Sequence, residues 1–382
     1  MEEVYILGAM RTPIVGKNGP FRTVRPEVLG ARVMQALQQR YDAGPLSGVI
    51  GGNAVGTGGN ITRLMALLAG IGQTVPAFTV DMQCASAAAA ISLAYAKIAS
   101  GQGELWLAGG MESSSLQPLR VYARQDERYG LTPQKDGCYY TAQFAPGDIA
   151  ADTMLWGAER VAAAEHISRK EQEAWALRSH AQAAAAAKRG ELRDILVPID
   201  GWERDDGIRE RMSQRLLDRL PLLLGEGTSL TAGTACRIND GAAFALLVSG
   251  RAVRQRGLHP VARILGTASL GGNPAESPRG AMATADVLLR RHGLSYADLQ
   301  AIEFNEAFAV IDVLFAREHP ECIGQYNRFG GALAYGHPYG ASGGILLAHL
   351  LKSLQAAGGG RGLLAIAGAG GMGEAILVEM IA

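Results

Sequence analysis

The chain has 382 residues, of which 48% are hydrophobic and 19% charged, with 36 basic and 36 acidic side chains and a formal net charge of zero. That length suggests two units of ordinary domain size around sizeable cores. The balance excludes a disordered chain and gives no electrostatic reason to expect a nucleic-acid partner.

In chain order, short apolar runs alternate with helical stretches. "VYILGA" reads as a first strand, and its acidic, short-apolar start lacks the basic flank and length of a signal peptide. A helix is predicted over Pro26–Arg40, then a strand in "GVIGGNAV". "PAFTV" (76–80) has strand character, and Ala85–Ser100 is rich in alanine and predicts a helix. "ELWLAGG" follows as a strand. From about Gly110 to Asp240 the pattern breaks into charged, loop-rich sequence around one alanine-rich helix, Arg169–Arg189, which suits an excursion laid over a core. Strands then return in "FALLVSG", "ARILGTASL", "AIEFNEAF", "LLAIAGAGG" and "AILVEMI", with helices over Ser277–His292, Glu306–Arg317 and Ser342–Ala357. Such alternation, with near-continuous apolar strands, argues for a layered α/β protein with buried mixed sheets. No run reaches membrane-spanning length without interruption.

A weak repeat underlies the alternation. "CASAAAAISLAYAKIASGQGELWLAGGMES" resembles "GASGGILLAHLLKSLQAAGGGRGLLAIAGAGGMGEA" in its small-residue opening, apolar helix, Gly-rich link, strand and Gly-Gly-Met ending. The pairing sets Ser86 against Ser342 and Met111 against Met372. Two similar halves joined near Gly250–His259 would bring equivalent helix starts together at a pseudo-twofold axis.

Four stretches suggest chemistry. Cys84 falls at a strand-to-helix corner, where unpaired N–H groups and the positive end of the helix favour a thiolate; a buried gap-filling cysteine is the bland alternative. Asn305 in "EFNEAFA" stands at a strand end, with a helix N-cap as its ordinary role. His337 lies in "GGALAYGHPYGASGG", where glycines let backbone approach a ligand closely and Pro338 stiffens the imidazole's position. "AGAGGMGEA" supplies the closely spaced backbone N–H donors an oxyanion needs. A cysteine nucleophile, a histidine, an asparagine and a donor loop are the kit for covalent acyl transfer. The four cysteines, Cys84, Cys138, Cys236 and Cys322, form no CxxC pair, so neither a disulfide framework nor a metal site is expected and a reducing cytoplasm is the expected compartment.

The order "CAS", "NEAFA", "GGALAYGHPYGASG" and "GGMG" resembles the thiolase family of coenzyme A-dependent acyltransferases. "RTPIVG", "GGMESSS", "AERVAAAEHISRKEQEAWALRSHAQA" and "SLTAGTACRINDGAA" extend the likeness from about Val4 to Glu379. The resemblance implies a duplicated βαβαβαββ five-layer α/β core. Its N-terminal half would span 1–250, including a loop domain at about 111–235, and its C-terminal half 257–382. It further implies acyl-CoA C-acyl transfer in short-chain acyl-CoA or fatty acid metabolism. The substrates would be coenzyme A thioesters, with no permanently bound cofactor, and the protein would assemble as a homodimer or homotetramer.

By the same likeness Cys84 carries the acyl group and His337 helps activate it. His337 with a water held by Asn305 forms one oxyanion hole, and the backbone N–H groups of Cys84 and Ala369 form the other. The family's C-terminal Cys-Ile-Gly-Gly-Gly-x-Gly is here Ala367 to Gly373, so Ala367 stands where the proton-shuttling cysteine would be. His337, Glu306 and Cys322 are candidates to replace it. Thr234-Ala235-Cys236-Arg237 replaces Asn-Ala-Ser-Gly along the pantetheine wall, and Thr153-Met154-Leu155 replaces His-Met-Gly, with Leu155 and Trp156 expected to narrow the site. Ala235, Cys236, Met154 and Gly370 are therefore expected to line the substrate pocket. Arg209 leads Arg211, Arg215 and Arg219 as a partner for the phosphates of coenzyme A. Decarboxylative condensation, transfer to another acceptor, and a non-catalytic acyl-CoA-binding subunit remain as alternatives.

Overall fold

The computed structural model describes residues 2–132, 134–147, 150 and 152–381. Its elements, in chain order, are β1 (Val4–Arg11), α1 (Pro26–Arg40), β2 (Gly48–Gly52), α2 (Ile61–Leu68), β3 (Ala77–Val80), α3 (Ser86–Ala99) and β4 (Leu105–Ser113). These are followed by α4 (Thr153–Ala164), α5 (Arg169–Arg189), β5 (Asn239–Ser249), β6 (Ala262–Gly271), α6 (Gly280–Arg291) and β7 (Ala301–Phe304), and finally α7 (Ala309–Glu318), α8 (Ser342–Ala357), β8 (Arg361–Gly368) and β9 (Met372–Met380).

The strands lie in the order β7-β8-β9-β6-β1-β5-β4-β2-β3. From the middle outward the two halves repeat one plan. In the first, β1 pairs antiparallel with β5, β5 antiparallel with β4, β4 parallel with β2 and β2 parallel with β3. In the second, β6 pairs antiparallel with β9, β9 antiparallel with β8, and β8 parallel with β7. Where a counterpart of β3 would lie, the second half has only an isolated parallel bridge, Ile302 to Tyr326. The halves join through just two residue pairs, Tyr5 with Arg263 and Ile6 with Ala262.

Such a narrow seam lets the two half-sheets face each other across α3 and α8, which pack against strands of both halves and against one another. Helices α1 and α2 cover the outer face of the first half-sheet, and α6 covers that of the second. The layers are therefore helix, sheet, helix, sheet, helix, a mixed α/β fold. The small residues that dominate α3 and α8 follow from this placement. A Cβ at Gly343 would stand 2.3 Å from the Ala88 nitrogen, so the two central helices touch backbone to backbone.

Local signals account for the ends of several helices. Pro26 opens α1 at its first turn with Glu27 beside it and Arg40 at its far end, complementing the helix dipole. Ser168 and Glu171 cap α5 reciprocally, and Gly190 ends it in the left-handed region at φ 69°. Two expectations shift. The helix after β7 begins at Ala309, not Glu306, because Phe308 is extended at φ −143° and occupies the cap position. The span from 277 is a 3₁₀ segment, Pro274–Arg279, before α6 proper. The residues from 114 to 238 include α4 and α5; α5 packs on α7 and on the short helical turn Ala332–Tyr335.

Candidate active site

Cys84 is delivered by a built corner. Strand β3 ends at Val80, and α3 begins at Ser86. Between them Gln83 sits at φ 53°, a left-handed conformation that non-glycine residues rarely adopt. Its neighbours hold it there. The Asp81 carboxylate accepts from the Gln83 backbone N–H at 2.8 Å and from its Nε2 at 3.0 Å. Ser86 Oγ donates to the Gln83 carbonyl at 2.6 Å and accepts from the Met82 N–H at 2.8 Å.

The residue Cys84 keeps partial surface exposure, yet its sulfur is shielded enough that burial pushes the thiol up to about 12. The charges of Glu112 and Asp81 add to that rise; the N–H groups of Cys84 itself and of Ala369 act on the sulfur in the opposite sense. Gly370 and Gly371, both at positive φ, make the turn that follows Ala369, whose N–H acts on the Cys84 sulfur.

The His337 loop meets this corner from the other half. The His337 N–H is held by the Arg237 carbonyl at 3.0 Å and by Asn239 Oδ1 at 3.2 Å. On the ring, Nδ1 lies 2.6 Å from Ser342 Oγ and Nε2 lies 3.4 Å from Asn305 Nδ2. Because the Ser342 hydroxyl has one proton and donates it to the Pro338 carbonyl at 3.0 Å, it accepts at Nδ1. That assignment places the ring proton on Nδ1 and the lone pair on Nε2, where it accepts from the Asn305 amide. Burial pushes the imidazole down to about 3, so it is neutral at physiological pH. Tyr339 stacks edge-on against it, ring centroids 5.0 Å apart.

Glu112 ties the two halves together beneath these groups. Its buried carboxylate accepts from the Gly340 N–H at 2.9 Å, the Ala54 N–H at 3.0 Å and Asn53 Nδ2 at 2.7 Å. Burial raises it to about 7.

The segment 235–238 straps across the site. The Cys236 N–H donates to the Ala307 carbonyl at 2.9 Å, Ala235 bridges Phe308, and Ile238 bridges His337. Cys236 is half-buried, and it packs with Ala235, Met154 and Leu155 against the apolar cluster that contains Ala367 and Phe308. Trp156 lies outside, 38% exposed.

The structure thus brings Cys84 to the Ala369 N–H and into the electrostatic reach of Cys236, His337 to Asn305, and Ala235, Cys236 and Met154 to one apolar cluster with Ala367. Arg209, Arg211, Arg215 and Arg219 are all exposed, and none forms an ion pair among the described residues. The Arg209 N–H donates to His180 Nδ1 at 3.1 Å.

Two suggested replacements for a proton carrier are engaged elsewhere. The Glu306 carboxylate accepts from Ser179 Oγ, Asn327 Nδ2 and the Leu333 N–H. Cys322 is buried beside Glu321, in the region of Tyr296. Sequence reasoning missed the positioning work of Ser342 and Glu112. Their signal was the alignment of Ser86 with Ser342 and the glutamate inside "GGMESSS".

A half-buried thiol at a helix start, an imidazole of fixed tautomer and converging amide donors define an acyl-transfer site of the cysteine-nucleophile class. Residues 4–251 match the thiolase N-terminal domain and residues 258–380 the thiolase C-terminal domain, so the chain belongs to the thiolase family. It is 33% identical over 391 residues to a steroid 3-ketoacyl-CoA thiolase of Mycobacterium tuberculosis, covering 100% of this chain and 95% of that protein. It is 34% identical over 401 residues to a beta-ketoadipyl-CoA thiolase of Pseudomonas putida, covering 100% of both. Among solved structures, the Acat5 thiolase of Ascaris suum in complex with coenzyme A superposes with a TM-score of 0.89 at 28% identity, covering 100% of both chains. The protein is an acyl-CoA C-acyltransferase. No described helix is long and apolar enough to cross a membrane.

Proposed function

We propose that the protein transfers short acyl groups between coenzyme A thioesters through an acyl-Cys84 intermediate. One observation carries this reading. The imidazole of His337 is pinned at Nδ1 by Ser342 and meets Asn305 at Nε2, while two backbone N–H groups, those of Cys84 and Ala369, act on the Cys84 sulfur.

The resting site holds a protonated thiol and a neutral imidazole, since burial disfavours both charged forms. As the acyl carbon docks, His337 Nε2 takes the Cys84 proton and the sulfur attacks. The resulting imidazolium then carries an N–H at Nε2, which faces the developing oxyanion beside a water held by Asn305. The Cys84 and Ala369 N–H groups serve the second oxyanion, on the other tetrahedral intermediate. Each such donor is worth about 3 kcal/mol of barrier.

Ala235, Cys236, Met154 and Gly370 wall the acyl and pantetheine channel in this reading. The unpaired guanidinium groups led by Arg209 face the phosphates of coenzyme A. The reading keeps a cytoplasmic homodimer or homotetramer as its assembly, and coenzyme A as substrate with no resident cofactor.

The test is to incubate the protein with acetoacetyl-CoA and map acylated peptides by mass spectrometry, with Cys84→Ala as control. An acyl adduct on Cys84 alone is expected. An unmodified Cys84, or an adduct on another residue that persists in Cys84→Ala, would overturn it.

A further inference from the structure

A thiolase-type reaction needs two proton carriers, because bond making at sulfur and at carbon each moves a proton. His337 serves the first. The position that would serve the second along β8 is Ala367, whose methyl group carries no transferable proton. Glu306 is engaged by four donors, Ser179 Oγ, Asn327 Nδ2, the Leu333 N–H and Trp175 Nε1, and Cys322 lies beside Glu321 and Tyr296.

Cys236 remains. Its own N–H donates to the Ala307 carbonyl, two residues beyond Asn305, and the carbonyl of the next residue, Arg237, receives the His337 N–H, so this strap is fastened to both loops that supply the imidazole and the amide. It packs on the apolar cluster that includes Ala367. It is a free thiol with part of its surface open, and so is Cys84. Charge on Cys84 raises the affinity of Cys236 for its proton, and both sulfurs act on the Tyr339 hydroxyl, so the two thiols and Tyr339 share one electrostatic neighbourhood. Burial also drives the Cys236 proton on tightly, which suits an acid whose partner is a carbanion.

We infer that Cys236 is the second catalytic thiol, the acid and base that moves the proton at the substrate carbon in place of a residue at 367. The inference rests on the acyl-Cys84 reading. In the thiolytic direction, His337 takes the Cys84 proton and the sulfur adds to the 3-keto carbon. The bond between C2 and C3 breaks, its electron pair stays on C2, and Cys236 delivers its proton there. Acetyl-CoA leaves, with the acyl group on Cys84 and a thiolate at Cys236. Incoming coenzyme A gives its thiol proton to Cys236 and attacks the acyl carbon. Cys84 departs as thiolate and recovers its proton from His337, which restores the starting state.

The experiment follows the methyl protons of acetyl-CoA by NMR in D2O, alongside loading of Cys84 by mass spectrometry, in wild type, Cys236→Ala and Cys236→Ser. Wild type is expected to load Cys84 and to exchange methyl protons. Both variants are expected to load Cys84 within about tenfold of the wild-type rate and to lose exchange by about 10²–10⁴-fold, the usual worth of a positioned acid or base. Retention of the thiol's shape by serine without its acidity separates proton transfer from packing. Exchange retained within tenfold in either variant would overturn the inference, as would loss of loading in both, which makes Cys236 a wall residue. Ala367→Cys in the wild-type background is expected to raise thiolysis less than tenfold; a gain of a hundredfold would show that the proton-carrying post is vacant. Failure of the underlying reading has a different signature: wild type that never loads Cys84.

Discussion

Ser86 and Ser342 open the two central helices, and each spends its hydroxyl on the turn that precedes it. Ser86 bridges Met82 and Gln83, fixing the corner that carries Cys84. Ser342 bridges His337 Nδ1 and the Pro338 carbonyl, fixing the ring that would serve that cysteine. In the proposed reading the repeated half is thus put to two uses, one aiming a nucleophile and the other aiming a base. Ser342→Ala removes the acceptor that holds the proton on Nδ1 and frees the ring to take the other tautomer. The expected result is a fall in kcat of about 10- to 100-fold, a part of the full acid–base contribution, with KM nearly unchanged. Steady-state thiolysis checks this, and nitrogen NMR of the imidazole reports the tautomer. A variant with unaltered kcat would show that Asn305 and the surrounding packing suffice to orient the ring.

Glu112 does comparable work from a distance. Its two oxygens accept from the 53–55 turn in one half and from Gly340 in the other. Glu112→Gln keeps the shape but replaces one acceptor oxygen by a donor NH2, which would face a backbone N–H. A buried donor left without a partner costs about 1–3 kcal/mol. We expect the melting temperature to fall and kcat to drop about tenfold or more, because Gly340 lies three residues from His337. Thermal melts and initial rates on the same preparation test both; a variant with normal stability and normal kcat would remove Glu112 from the positioning frame.

Much of the architecture was legible because apolar periodicity and punctuation agreed. Pro26–Arg40, Arg169–Arg189 and Ser342–Ala357 end where prolines, capping serines and glycines said they would. Helix α2 escaped notice: eight residues inside a Gly-rich stretch give too short a period to stand out. Asn305 was legible as a strand-end residue and, through the resemblance, as an amide donor, and its side chain meets His337 Nε2. The ordinary alternative of a helix cap does not hold because Phe308, three residues on, takes the extended conformation before α7. Cys236 was legible through the resemblance as a pocket-wall residue, but its electrostatic coupling to Cys84 was not. The sulfurs are separated by most of the excursion, and only the strap's contacts with Ala307 and His337 bring them into one neighbourhood. Spacing along a chain carries no information about such a meeting.

Gly110 lies where the two halves meet backbone to backbone, against Gly340. A Cβ there would stand 1.9 Å from the Gly340 carbonyl oxygen, a contact that only a shift of backbone can relieve. Gly110→Ala is therefore expected to displace the 336–342 loop and to cost about 3 kcal/mol, at the upper end of overpacking in a closed core. Reduced soluble yield, a lower melting temperature and loss of thiolysis should appear together. Full activity in this variant would mean that the loop has room to retreat, and that the close approach of Gly110 and Gly340 is not required for catalysis.

Glu303 on β7 supplies a prediction about stability, because its buried carboxyl is held by Ser353 Oγ, which donates to it at 2.7 Å. Burial raises the acid to about 8, with the charge of Glu306 adding to the rise and Arg178 and Arg328 opposing it. Its ordinary value is 4.5. Between those values the folded protein holds a proton that the unfolded chain has released, so stability falls as pH rises through the window. The contribution is complete below about 4.5 and gone above about 8. A raise of this size is worth on the order of 5 kcal/mol at the most. Glu303→Gln copies the protonated acid and cannot titrate. Variant and wild type should therefore melt together near pH 5, while at pH 8.5 the variant should melt higher by about a few degrees. The acidic-side losses from His337 and His349, both pushed down by burial, are common to the two proteins and cancel in the comparison. Melting curves collected from pH 5 to 8.5 that run parallel would show that Glu303 does not carry this proton.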